Sequence, residues 1–303
     1  MKKAIVTGAS GFVGTWLVKE LSEHQYFVYS IVRKDEGKFN NISNVKVIEC
    51  DMENIGKLVD YIPEEPVDAF IHLAWQGSGG DERANYEIQL NNVKLSCDAA
   101  KVAKEIGVLH FFSAGTITEN IVDNIILNNK VSANMMYAVC KKTARYMLDV
   151  YCKKIDLPFT WLQFSNVYGP YNQTGNLLSY ALETLVKGEV PVFSKGEQPY
   201  DFIYVKDLVR VIRELIDINH KRNFYFIGSG ESRKLCEYLM ELPDIYGCES
   251  KVGIGQRPED GIVYEWEWFK CSELKEDIGY KAKYSFEMGI RETIEWLKKN
   301  IQK

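Results

Sequence analysis

The sequence predicts an α/β fold with a doubly wound parallel sheet and a smaller α/β substrate-binding domain. Apolar strand-like segments alternate with helix-like segments in the first half of the chain, which is typical of parallel βαβ units. The chain also opens with a strand, a glycine-rich turn and an amphipathic helix in direct succession. Its 303 residues suffice for one large unit or two closely packed domains.

Composition restricts the classes of partner. The net charge of −5, with 46% hydrophobic and 26% charged residues, favours small-molecule partners and offers no footprint for nucleic acid or a membrane. No apolar run approaches the ~20 residues that span a bilayer, and no signal-peptide pattern is present, so we expect a cytoplasmic protein. The seven cysteines and four histidines are scattered, which predicts neither disulfides nor a metal site.

The opening segment is typical of a dinucleotide-binding, Rossmann-like fold. Its glycines permit a tight turn, a close approach of backbone to a pyrophosphate, and close packing of the helix. The N–H groups at the helix start favour the phosphate charge. A purely structural turn would give the same glycine pattern. The predicted cofactor contacts of this turn are Gly8, Ser10, Gly11, Phe12, Val13 and Gly14.

The second predicted strand, residues 26–34, ends in basic residues where NAD sites usually carry an acid. Arg33 can pair with a 2′-phosphate that a carboxylate would repel, so we expect NADP(H), with NAD(H) still possible. A basic strand end in solvent is the alternative interpretation.

The next two predicted strands supply further cofactor contacts. Residues 45–52 end in Asp51, which is placed to accept from the adenine amino group, and Met52. Residues 68–74 end in Leu73 and Ala74, beside which backbone can approach the cofactor.

A helix over 84–106 and a fifth strand over 108–112 come next. The residues after this strand bring the hydroxyls of Ser113 and Thr116 to the carboxyl edge of the sheet, where such folds bind ligands. A helix over 135–153 then places Tyr137 and Lys141 one turn apart on one face. A nearby cation lowers the pKa of a phenol, and we expect Lys141 to provide it and to hold the nicotinamide ribose.

Apolar residues surround much of the 135–153 helix, more than one sheet-facing stripe requires. We predict a homodimer through the 84–106 and 135–153 helices, against the alternative of a fully covered monomer surface. Residues 1–166 and 203–228 are assigned to the nucleotide-binding domain. Residues 167–202 and 229–303 are assigned to the substrate-binding domain, with Gly228–Ser229–Gly230 a connection.

Four motifs resemble the extended short-chain dehydrogenase/reductase superfamily, in particular its NAD(P)-dependent nucleotide-sugar epimerase/dehydratase/reductase group. They are T-G-x-x-G-x-x-G at 7–14, Y-x-x-x-K at 137–141, N-V-Y-G-P at 166–170 and D-F-I-Y-V-x-D at 201–207. The resemblance covers nearly the whole chain and is more specific for the family than for the reaction.

The resemblance implies roles for individual residues. Tyr137 is implied as the general acid/base, Lys141 as its electrostatic partner and ribose ligand, and Thr116 as the catalytic hydroxyl, with Ser113 as the fallback. Further roles are implied on the cofactor side for Asn92, near the substrate diphosphate for Asn166, and in nucleotide anchoring for Arg257 and Asp260. A solvated surface arginine is an equal alternative for Arg257.

Three departures from the family pattern bear on the reaction. Dehydratases carry an Asp-Glu pair after the hydroxyl residue, where this chain has Ile117 and Thr118, and an arginine for the substrate phosphates is replaced by Tyr200. With the acid of the second strand missing as well, the resemblance implies an NADP(H)-dependent 4-keto-sugar reductase acting on a nucleotide-diphospho-sugar. The alternatives are an NAD-dependent 4-epimerase and, more distantly, a non-catalytic NADP(H) sensor.

Overall fold

The structure is a computed structural model that describes residues 1–123, 132–133, 135–218, 222–247, 251–259 and 262–301. In this part of the chain, seven parallel strands form one sheet. They are β1 (Lys2–Thr7), β2 (Tyr26–Val32), β3 (Val45–Glu49), β4 (Ala69–His72), β5 (Phe111–Thr116), β6 (Phe159–Phe164) and β10 (Phe224–Ile227). Their order across the sheet is β10-β6-β5-β4-β1-β2-β3.

The described helices cover both faces of this sheet and continue into the C-terminal part. They are α1 (Phe12–Glu23), α2 (Leu58–Tyr61), α3 (Tyr86–Ile106), α4 (Met135–Lys154), α5 (Leu177–Val186), α6 (Val205–Asp217), α7 (Leu235–Tyr246), α8 (Ser272–Ile278) and α9 (Phe286–Ile301). None of the described helices is both long and apolar enough to cross a membrane. The parallel sheet with helices on both faces confirms the predicted doubly wound fold.

Local sequence explains how the central elements form. Ala4–Thr7 of β1 is buried on both faces, as in the interior strands of parallel sheets, which read as continuous apolar runs. Asn85 caps α3 by accepting from the N–H groups of Glu87 and Ile88, and Gly107 ends this helix in a left-handed conformation. The order of strands reverses at β1, which lies between β2 and β4, and ligands of such sheets bind at this switch point.

Several predicted boundaries differ from the structure. β2 ends at Val32 rather than at residue 34, and β5 runs over Phe111–Thr116 rather than over 108–112. The hydroxyls expected after the fifth strand therefore lie within it. β5 extends this far because β6 pairs with it up to the register Thr116↔Phe164, which the hydrophobic pattern did not reveal.

The chain after β6 divides between the main sheet and smaller ones. Two short strands pair in parallel outside the main sheet, β7 (Asn166–Tyr168) and β9 (Phe202–Tyr204), and β8 (Pro199–Tyr200) pairs with β11 (Arg233–Lys234). β10 returns to the edge of the main sheet beside β6. One buried apolar cluster runs from β1 to α9, so the proposed domain boundary stays a prediction.

Candidate active site

The glycine turn lies directly against the end of β4. Gly8 has a φ of +66°, and a Cβ there would lie 2.8 Å from the backbone nitrogen of Ala74. A Cβ on Gly14 would lie 2.2 Å from the carbonyl oxygen of Gly8. Both positions require glycine because backbone from two elements meets there. Gly11 caps α1 without any side-chain hydrogen bond, so the N–H groups at this helix start fit a phosphate.

A lysine that the sequence analysis did not single out lies over this turn. The Lys38 ammonium donates to the Ser10 carbonyl oxygen at 2.8 Å and to the Thr15 hydroxyl at 3.1 Å. It lines a cavity of about 330 Å³ together with Ser10, Gly11, Phe12, Tyr171, Gln173, Thr174 and Trp296. Burial lowers the pKa of Lys38. The cavity and this cation add an anion-compatible surface to the helix start.

The residues predicted to contact the adenosine end lie at the carboxyl ends of β2 and β3. Arg33 is exposed immediately after β2. The Asp51 carboxylate accepts from the Glu53 backbone N–H at 3.0 Å and so caps a 3-10 turn, while Met52 packs against the core. Phe12 and Val13 of α1 are half-buried.

At the end of β5, the two predicted hydroxyl groups, those of Ser113 and Thr116, have different surroundings. The Thr116 side chain interacts with the Tyr137 phenol and lowers its pKa, whereas Ser113 is buried within β5 opposite Trp161. Tyr137 is buried on α4, which packs against β5. Of the two candidates, Thr116 therefore has the position of a hydroxyl that acts together with the phenol.

Lys141 lies one turn beyond Tyr137 and is buried. Its ammonium donates to the Ala114 carbonyl oxygen at 2.7 Å and lies 3.8 Å from the ring centre of Trp75. Burial lowers the pKa of Lys141 to about 7, and the nearby Glu119 carboxylate opposes this shift.

The pKa of Tyr137 is raised in the structure, whereas the sequence predicted that Lys141 would lower it. Burial raises the pKa of Tyr137 to about 12, and the largest opposing influence is the guanidinium of Arg83. The Cζ atom of Arg83 lies 4.3 Å from the Tyr137 ring centre. The sequence placed a cation one helical turn away, but burial of that lysine costs it charge.

Glu119 is the buried carboxyl group of this site, and the sequence analysis missed it. Its Oε1 atom accepts from the Thr116 backbone N–H at 2.6 Å. Its Oε2 atom accepts from Trp161 Nε1 at 3.1 Å and from Gln163 Nε2 at 3.3 Å. Burial raises the pKa of Glu119, while these three donors and Lys141 favour its ionised form. The glutamate three residues after a threonine forms a capping box, a spacing that a sequence search can find.

The segment after β4 is fixed from α3. Asn92 donates from Nδ2 to the Gln76 carbonyl oxygen at 2.8 Å and accepts from the Gln76 N–H at 2.9 Å. The predicted cofactor-side role of Asn92 thus has a structural basis, because Gln76 follows Leu73 and Ala74 at the edge of the glycine turn.

The predicted substrate residues lie in the C-terminal part. Asn166 donates to the Asp201 carbonyl oxygen at 3.0 Å and accepts from the Tyr200 hydroxyl at 3.0 Å, so Tyr200 is bound to Asn166 where relatives were expected to carry arginine. Arg257 is exposed, stacks 4.8 Å from the Tyr180 ring centre and donates to its hydroxyl at 2.9 Å. Asp260 lies outside the described residues. Asn166 and Arg257 do not contact Tyr137 in any interaction that the structure describes.

Within the described ranges, no group of three or more His, Cys, Asp or Glu side chains is arranged to hold a metal ion. His72, at the end of β4, bonds to the Thr7 hydroxyl at 2.9 Å and the Ser96 hydroxyl at 3.3 Å. Burial lowers the pKa of His72 to about 3, so it is neutral and structural.

Comparison with known proteins gives consistent results. A putative UDP-glucose 4-epimerase of Methanocaldococcus jannaschii is 24% identical over 307 residues, covering 98% of each chain. The dTDP-6-deoxy-L-talose 4-dehydrogenase (NAD(+)) of Aggregatibacter actinomycetemcomitans is 28% identical over 238 residues, covering 76% of this chain and 86% of that one. The UDP-glucose 4-epimerase of Thermotoga maritima, solved with UDP-glucose, superimposes with a TM-score of 0.80 at 22% identity over 99% of both chains.

A model of one family matches residues 4–228, which include the glycine turn, Thr116, Tyr137 and Lys141. The matched range covers most of the chain and ends just after β10, the last strand of the main sheet. The chain therefore belongs to the NAD dependent epimerase/dehydratase family.

Proposed function

We propose that the protein is an NADP(H)-dependent reductase of a 4-keto sugar carried on a nucleoside diphosphate. The observation that carries the chemistry is the interaction of the Thr116 side chain with the Tyr137 phenol at the carboxyl end of β5, with Lys141 on the next turn of α4. Two hydroxyls in contact can converge on one substrate oxygen, which is what reduction of a ketone to an alcohol requires.

The proposed mechanism assigns each side chain a proton or a hydrogen bond. When bound, the reduced nicotinamide supplies a hydride to the keto carbon. Tyr137 donates its proton to the keto oxygen as the alcohol forms, and Thr116 donates a hydrogen bond to the same oxygen. The Tyr137 phenolate is then protonated again from solvent. Lys141 lies one turn beyond Tyr137, and the N–H groups at the start of α1 would hold the cofactor pyrophosphate.

A dehydratase reaction is disfavoured by the side chains that follow Thr116. Ile117 is apolar and buried, and Thr118 bonds to the Thr116 hydroxyl at 3.1 Å. Glu119 is buried and bonded on both oxygens to the chain itself. The Glu119 carboxylate is thus occupied by donors of the chain itself, which disfavours a role in the loss of water.

The preference for NADP(H) is supported by Arg33, which is exposed directly after β2 at the predicted ribose position. Charge-assisted hydrogen bonds contribute about 1.5–3 kcal/mol each, so Arg33→Ser should weaken NADPH binding about 10- to 100-fold and leave NADH binding nearly unchanged. Fluorescence titration with both nucleotides measures this, with exposed Lys94→Ser as the control for lost charge. Equal weakening of both nucleotides would contradict a 2′-phosphate contact.

The second candidate function is a nucleotide-sugar 4-epimerase. It is favoured by the match to a putative UDP-glucose 4-epimerase over nearly the whole chain. An epimerase oxidises and reduces the same carbon and consumes no cofactor overall, whereas the proposed reductase consumes one NADPH per product.

The test is an assay of NADPH oxidation with UDP-4-keto-6-deoxy-D-glucose, of NADP⁺ reduction with dTDP-6-deoxy-L-talose, and of epimerisation with UDP-glucose. The reductase predicts stoichiometric NADPH loss with a keto sugar, and Tyr137→Phe should lower kcat at least 10²-fold without weakening NADPH binding more than about two-fold. Epimerisation without net cofactor change would replace the proposal by the second candidate. Ordinary turnover by Tyr137→Phe would refute the assigned acid.

The proposed assembly is a homodimer through α3 and α4. These helices pack against each other and expose large apolar side chains, namely Tyr86, Leu90, Tyr146, Met147 and Val150. Val150 is 72% exposed, so Val150→Arg should break a dimer without disturbing the fold. Analytical ultracentrifugation at micromolar concentration should give a dimer for the unmodified chain and a monomer for the variant. A monomer in both cases would refute the assembly.

A further inference from the structure

The segment between β4 and α3 reaches the catalytic helix, and buried amides of α3 fix its path. Gln89 is fully buried, and its Nε2 atom donates to the carbonyl oxygens of Gly77 at 2.8 Å and Glu82 at 3.0 Å. Its Oε1 atom accepts from Trp75 Nε1 at 2.9 Å. Because all three bonds are internal to the chain, this segment is held in one path across the site.

This path brings one side chain onto each member of the Tyr137–Lys141 pair. The Trp75 ring centre lies 3.8 Å from the Lys141 ammonium. The guanidinium Cζ of Arg83 lies 4.3 Å from the ring centre of Tyr137, and its Nη1 atom donates to the Ser78 carbonyl oxygen at 3.2 Å. Arg83 belongs to a short 3-10 turn, Asp81–Ala84, that packs against α4.

A guanidinium over an aromatic ring is attracted to its π-electrons, and the attraction increases when the ring carries the charge of a phenolate. An arginine keeps its charge throughout the working pH range, whereas a buried lysine does not. Among the residues that the structure describes, the charged or titratable groups around Tyr137 are Arg83, Glu119 and Lys141. Of these, Glu119 disfavours the phenolate, and Lys141 shares its own charge with Glu119.

We propose that Arg83 is a positioning residue of the reaction, whose guanidinium stabilises the phenolate of Tyr137 and thereby sets the pH range in which this phenol accepts and returns a proton. The inference rests on the proposed role of Tyr137 as the proton-exchanging group. It assigns to the segment after β4 the electrostatic role that the helical spacing assigned to Lys141.

The test measures kcat, KM and their pH dependence in the alcohol-oxidation direction, with dTDP-6-deoxy-L-talose as the probe and NADP⁺. In this direction Tyr137 must accept a proton, so kcat rises with pH. Arg83→Met should shift this rise to a pH about one unit higher. At pH values below the rise, kcat should therefore be about ten-fold lower than in the unmodified protein. Arg83→Lys, which keeps a cation near the ring, should recover at least half of the shift. The matched control is Lys94→Met, which removes one exposed charge on α3, away from the turn that carries Arg83. It should leave the pH profile unchanged.

Three outcomes would overturn the inference. An unchanged pH profile in Arg83→Met with a lower melting temperature would show a structural role only. A raised KM with an unchanged profile would show that Arg83 binds substrate rather than acting through Tyr137. A shift that Arg83→Lys does not reduce would show that charge is not its cause. Full activity of Tyr137→Phe would instead refute the proposed function, so the two failures are distinguishable.

Discussion

Replacement of Glu119 by glutamine tests whether the buried carboxylate keeps Lys141 charged. Glutamine has the size of glutamate but no charge, and its amide group would face one of the three N–H donors that the carboxylate now accepts. The loss of this charge removes the influence that opposes the burial of Lys141. We therefore expect the pKa of Lys141 to fall further below its ordinary value.

The size of the effect follows from the position of this pKa. With a pKa of about 7, half of the Lys141 side chains carry a charge at pH 7. A decrease of one pKa unit in Lys141 corresponds to about 1.4 kcal/mol of lost interaction with the carboxylate. A decrease of one unit leaves roughly one in eleven side chains charged, so kcat at pH 7 should fall about five-fold.

The assay is NADPH oxidation with UDP-4-keto-6-deoxy-D-glucose across the pH range. Near about pH 5 lysine is protonated in both proteins, so the ratio of their rates should approach one, and it should grow toward neutral pH. Glu119→Asp keeps the charge and shortens the side chain. It should lose stability through weaker hydrogen bonds but show a nearly constant ratio of rates.

Stability gives a second measurement of the same pKa. Since the pKa of Lys141 in the folded chain lies below its ordinary value of 10.5, the unfolded chain binds more protons between the two values. The contribution of this group to the free energy of unfolding therefore rises as the pH increases from about 7 to about 10.5. In Glu119→Gln this rise should begin about one unit lower, which urea unfolding at several pH values detects. A rate ratio that is the same at every pH, or an unmoved onset of the stability rise, would refute the electrostatic role.

Two further predictions concern the same strand end. A Cβ on Gly115 would lie 2.1 Å from Trp161 Nε1 and 2.6 Å from Glu119 Oε1, so Gly115→Ala should lower the free energy of unfolding by about 1–3 kcal/mol. Urea unfolding measures it against Gly56→Ala, where a Cβ meets no atom within 4 Å, and equal stability of the two variants would contradict the packing argument. Thr116→Val should lower kcat about 10- to 100-fold while Ser113→Ala stays within about two-fold; the reverse order in steady-state assays would make Ser113 the acting hydroxyl.

The sequence alone was sufficient to predict the parallel sheet. The hydrophobic period of each element and the alternation of strands with helices can both be read directly along the chain. The glycine turn at Gly8–Gly14 could be found from spacing, since each glycine is required by a backbone contact. The alignment of Tyr137 with Lys141 followed from helical geometry. The choice of Thr116 over Ser113 came from the resemblance to the family and stays a prediction, which the interaction of Thr116 with the phenol supports.

The electrostatics of the site needed the tertiary structure. Whether Lys141 is a full cation depends on how deeply β5, β6 and α4 bury it, and helical spacing carries no information on burial. Arg83 lies 54 positions before Tyr137 in the chain, and no local pattern links them. Their contact exists because Gln89 fixes the segment between β4 and α3 that carries Arg83. The sequence by itself determined which groups are available for proton transfer; tertiary packing decided their charges, because desolvation and the approach of distant cations depend on the whole fold.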